Sequence, residues 1–159
     1  MARATLILAA LSLACLVGCS RAVAPPELSG LWSASQPACA AGVGVRFKSD
    51  AIEAVYDHDR QTLFDHVTYR VEHGGAAFRV RITYDLPRLA GGVHTAGAHG
   101  VIVLARRGGG IVPESHNLID PRTGAVRVQL DNDPAQTLLT LEPCGGHPWR
   151  NPLRGRSGA

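Results

Sequence analysis

The chain has 159 residues, a formal net charge of +3, a 45% hydrophobic share and only 5% aromatic residues. That length supports one domain with its own core and not two, and a nearly balanced charge with few aromatics excludes a surface built for nucleic acid. Sixteen basic residues include a single lysine, Lys48, a bias more simply ascribed to a GC-rich coding sequence than to guanidinium chemistry.

Taken in chain order, residues 1–18 have the layout of a secretory signal peptide: one charge at Arg3, an apolar run over residues 4–14, and small residues before Cys19. A run of that length is too short to cross roughly 30 Å of hydrocarbon as a permanent helix. It closes on Leu16-Val17-Gly18-Cys19, which resembles the lipobox of bacterial lipoprotein precursors. The resemblance implies that the Cys19 sulfur receives a diacylglycerol and that Cys19 becomes the N-terminus of a membrane-held chain. Each buried methylene contributes about 0.8 kcal/mol, and more than one chain is needed for stable anchoring. Ser20 in place of Asp implies the outer membrane, periplasmic face, with the inner membrane as the alternative.

Residues 19–28 form a tether containing Pro25-Pro26 that spans less than roughly 30 Å even when extended. Cys15 leaves with the signal peptide and Cys19 takes lipid, so the exported pair Cys39 and Cys144 is expected to form a disulfide. The folded unit is expected over residues 29–145, with a flexible tail over 146–159.

From Leu28 onward apolar residues alternate with polar ones between Gly, Pro, Asn and Asp, and no segment keeps a 3.6-residue period. Strands are expected at 30–35, 44–48, 51–57, 62–72, 77–85, 101–106, 114–119, 125–130 and 137–141, with no helices. Eight or nine short antiparallel strands imply an all-β fold, a small barrel or a sandwich. Gly74-Gly75 reads as a two-residue hairpin turn, pairing Val71 with Phe78, Tyr69 with Val80 and Val67 with Ile82. A turn at Asp59-Arg60 would set Glu53 opposite His66 and aim Asp65 inward beside Tyr84. Residues 120–124 and 131–134 read as turns; the second lacks the spacing of a calcium loop.

Seven histidines raise the question of a metal. No His-Glu-x-x-His or paired strand histidines occur; His94 and His99 share the loop over residues 86–100, and His116 is a third weak candidate. Loop histidines facing solvent are the simpler account, as a solvated polar face is for Glu53, His66 and Arg81. Ser115 and His116 are adjacent on a strand, so they point to opposite faces and make a poor nucleophile and base. No cofactor motif is present, and the reading is of a protein that is not an enzyme.

Glu27-Leu28-Ser29-Gly30-Leu31-Trp32 resembles the opening of two groups of small barrels, the lipocalin and calycin type and the periplasmic inhibitors of bacterial metalloproteases. In these barrels the tryptophan seals one end, which implies that role for Trp32, with Tyr84 and Asp65 as further candidates for a ligand or barrel-end position. The expected function is a structural or protein-interaction role for a lipid-anchored envelope protein. The alternatives are a carrier of a small apolar ligand under a lid formed by residues 86–100, and a protease inhibitor or metal-binding protein.

Overall fold

In a computed structural model, which describes residues 23–57, 59–86, 97–130 and 140–145, the alternating segments become nine strands. They are β1 (Leu31–Ser33), β2 (Gly44–Phe47), β3 (Ala51–Tyr56), β4 (Asp59–His73), β5 (Arg79–Asp85), β6 (His99–Arg107), β7 (Gly110–Ile119), β8 (Val126–Gln129) and β9 (Glu142–Cys144). All belong to one antiparallel sheet in the order β8-β7-β6-β5-β4-β3-β2-β1-β9. The ninth strand lies just beyond the stretch expected at 137–141, of which residues 137–139 lie outside the described residues. The expectation of no helix is corrected by α1 (Gln36–Ala40). Here Ser35 caps the first turn, its Oγ accepting from the Ala38 amide at 3.3 Å, and Pro37 sits where a helix needs no N–H.

The sheet is made of two halves that share β4. Residues Asp59 to Asp65 of this strand pair with β3, and Asp65 to His73 pair with β5, so Asp65 opposes both Ala51 and Asp85. The change of partner falls at a bulge, where His66 takes a left-handed φ of 49° and the Val67 amide donates to Asp50 O at 2.8 Å. Bulges of this kind bend a strand from one layer to another.

A second joint brings the two ends of the sheet near each other without closing it. β6 occupies one edge of β7 along its whole length. On the opposite edge, β8 pairs with Asn117 to Ile119, and Leu141 bridges Ile111 through two 2.9 Å hydrogen bonds. Residues 126–130 and Leu141 therefore lie on the same edge of β7, and Glu142 to Cys144 pair with β1. The ends of the sheet meet at a single bridge instead of a complete ladder. Gly110 permits the approach, since a Cβ there would lie 2.6 Å from Leu141 O.

Between the halves lies the core. Trp32, Phe47 and Ile52 come from one side, and Phe78, Val80, Ile82, Tyr84, Leu104 and Ile111 from the other. Trp32 is fully buried, and its indole N–H donates to Leu28 O at 3.1 Å, which ties β1 to the turn Pro26–Leu28. Removing an indole of this size from water contributes roughly 4–6 kcal/mol as an upper figure. Cys39 and Cys144 form the expected disulfide, with a Cα–Cα distance of 5.4 Å, joining α1 to β9 across 105 positions.

Two registers differ from expectation. Across β4 and β5, Tyr69 opposes Ile82 and Val71 opposes Val80, a slip of two residues. The turn is longer than two residues: Gly75–Ala77 forms a 3-10 turn with Gly75 at φ 64°, and Glu72 is bulged between Val71 and His73. A two-residue slip returns each side chain to its original face, and Val67, Phe78, Val80 and Ile82 are buried as expected, whereas Val71, beside the bulge at Glu72, is 46% exposed. Between β3 and β4 the chain reverses earlier than Asp59-Arg60, because Asp57 takes the left-handed conformation that aspartate tolerates and Tyr56 already pairs with Asp59. Glu53 consequently opposes Thr62 instead of His66, and Asp65 is exposed instead of inward.

Candidate functional site

Where β5 ends and β6 begins, Tyr84 opposes Gly100 and Asp85 opposes His99. Since neighbours on a strand point to opposite faces, two different groups of side chains form back to back at this end of the sheet.

The inner group is Tyr84, Phe64 and His116. His116 shares a rung with inward Ile102, which places its ring on the core side. Tyr84 Oη and His116 Nε2 are 2.6 Å apart, and we assign the phenol as donor and Nε2 as acceptor, with the ring proton on Nδ1. Phe64 lies against the phenol ring with centroids 4.1 Å apart, and meets His116 edge-on at 6.1 Å. Tyr84 is 2% exposed, and burial pushes its phenol up to about 12. Gly100 makes room for the ring, because a Cβ there would stand 1.9 Å from Tyr84 Cζ. A second, half-buried phenol, Tyr69, donates to Lys48 O at 2.7 Å across the β4 corner; burial, with the charge of Asp50, raises its titration as well.

The outer group is His66, Asp85 and His99. His66 Nδ1 is 3.4 Å from one carboxylate oxygen of Asp85, and His99 Nδ1 is 3.2 Å from the other. Asp65 steadies the bend by accepting from the His66 amide at 2.9 Å. The three side chains are 74%, 51% and 39% exposed in that order, so the pairs are screened by water and each contributes at most about 1 kcal/mol.

The sequence candidates thus separate. His99 and His116 fall on opposite faces of the sheet and do not share a site, while His94 lies outside the described residues. Among the described residues, no three His, Cys, Asp or Glu side chains form a group that could hold a metal ion. Trp32 and Tyr84 are both in the core, whereas Asp65 is on the surface. Cys19 lies outside the described residues. Of the polar face expected around Glu53, His66 and Arg81, Arg81 pairs with Glu72, which also takes Arg79. Glu53 stands opposite Arg46, with Arg46 Nε and Glu53 Oε2 buried and lacking hydrogen-bond partners. Sequence reasoning missed Asp85 and Phe64. Alternation alone puts Tyr84 and Asp85 on opposite faces, but their partners across β6 follow only once the return point of the long connection is known.

The arrangement offers a buried hydrogen-bonded pair that orders one end of the core and an exposed imidazole–carboxylate cluster above it. Together with the sheet it defines a class, an all-β domain of one curled antiparallel sheet tied by a disulfide. Comparison with known proteins finds no matching family model, no matching curated protein and no matching solved structure.

Proposed function

We propose that this chain is a lipid-anchored envelope protein that works by binding another protein and not by catalysis, with Cys19 as its acylated N-terminus and the outer membrane, periplasmic face, as its location. The lipobox residues Leu16-Val17-Gly18-Cys19 support the anchor, and Ser20 supports the outer membrane. The observation that carries the choice between interaction module and carrier is the burial of large side chains among the described residues. Trp32, Tyr84, Phe78, Leu28, Ile82 and Ile111 stand at the centre of the sheet with no more than 2% exposure. A carrier needs an open cavity lined by such residues; a filled core leaves the outer surface for recognition.

Native mass spectrometry of the full chain, extracted gently from membranes, tests this reading. A mass equal to the acylated polypeptide with its disulfide supports it, and a retained small apolar molecule would replace it with the carrier reading. Growth with labelled fatty acid tests the anchor: Cys19→Ala is expected to abolish labelling, and continued labelling would rule Cys19 out as the acylated residue.

A further inference from the structure

The two joints between the halves of the sheet differ in kind. At the β4 corner a continuous strand passes from one half to the other. At the seam the halves meet through the Ile111–Leu141 bridge, and the segment that brings Leu141 there is β9, three residues long and paired with the equally short β1. β9 is further held by two links to α1, the Cys39–Cys144 bond and a 3.4 Å hydrogen bond from Gln36 Nε2 to Glu142 Oε2. α1 buries none of its own side chains. Both cysteines are half-buried, within reach of a small thiol. Local opening is favoured where backbone pairing is short, and the shortest of the described strands, β1 and β9, are the ones at the disulfide.

We propose that Cys39–Cys144 is a redox-operated clasp on the seam: its reduction releases β9 and parts Leu141 from Ile111, while β3 to β7 stay folded. The reductant is a dithiol. Its thiolate attacks one sulfur of the bond to give a mixed disulfide, and its second thiol then displaces the protein sulfur. Cys39 and Cys144 each gain one electron and one proton, and the dithiol becomes a cyclic disulfide. The opened form exposes the edge of β1 and the Ile111 end of β7, backbone groups that are paired in the oxidised form.

The test is amide hydrogen exchange on the full, already folded chain, before and after incubation with dithiothreitol without denaturant, with alkylation and peptide mapping to confirm that both cysteines are free. Amides of Ile111, Leu141 and β9 are expected to exchange at least about tenfold faster, with those of β5 and β6 unchanged. Equal acceleration throughout the sheet would mean that the bond holds the whole fold and would overturn the proposal. So would unchanged exchange at the seam after reduction, or a bond that dithiothreitol leaves intact. The Cys39→Ala, Cys144→Ala pair should reproduce the reduced pattern; because the reductant acts on folded protein, the measurement does not depend on that variant folding.

Discussion

The half of the sheet from β4 through β8 and the half formed by β9, β1, β2 and β3 reach order by different routes. In the former, β5 pairs with β6 over its full length from Arg79 to Asp85 without a shift, and β6 follows β7 from His99 to Arg107 with one irregularity. Long ladders satisfy many backbone groups at once, and the inward rows Val80, Ile82, Tyr84 and Ile102, Leu104 are continuous. In the latter, β1 and β9 are three residues each, too short to be stable as a ladder. Order there depends on a few large side-chain and covalent ties: Trp32, its bond to Leu28 O, and Cys39–Cys144. Length of pairing and size of anchor substitute for each other.

Trp32→Ala is the hardest test of that contrast, with an expected loss of about 3–5 kcal/mol in chemical denaturation, since the cavity would open on the shortest strand. A loss under about 1 kcal/mol would show that β1 contributes little. In the long-ladder half, Gly100→Ala is expected to cost about 1–3 kcal/mol, because the added methyl drives the Tyr84 ring out of its seat; wild-type stability with unchanged near-ultraviolet dichroism would contradict that packing. Tyr84→Phe keeps the ring but leaves His116 Nε2 without its donor, at about 1–2 kcal/mol. Alkaline titration probes the same phenol. Its folded value of about 12 exceeds the usual 10, so the unfolded chain loses this proton first and stability, complete below about pH 10, falls as pH rises toward 12. Tyr69, raised as well, adds to the fall, and Tyr84→Phe is expected to make the decline shallower. Asp85→Asn is the smallest change, below about 1 kcal/mol in the same denaturation assay, because both histidine partners are exposed.

How much of this could be read beforehand follows from range. Period-two patterning located eight of the nine strands, since each needs only its own residues, and placed the ninth just ahead of β9; cysteine arithmetic located the disulfide. The helix at Gln36–Ala40 was written in Ser35 and Pro37 but is too brief to show a period. Register was partly legible: the β4–β5 slip came from a bulged Glu72 and a longer turn, and the β3–β4 slip from a left-handed Asp57, neither of which alternation encodes. The histidine groupings were the least legible. Whether His99 meets Asp85 or His116 depends on which face each occupies after a long connection, and one residue of offset exchanges the answers.

The exact opposition of Asp85 and His99 has one more consequence. Asp85 and His99 hold opposite positions on a single rung although thirteen residues separate them in sequence, so the alignment of β5 with β6 is set by their own pairing and not by that number. Doubling such a connection adds only about 0.6 kcal/mol of closure entropy. The chain therefore carries a natural insertion point, where a peptide tag or a small folded module can be spliced in while the strands on either side keep their alignment.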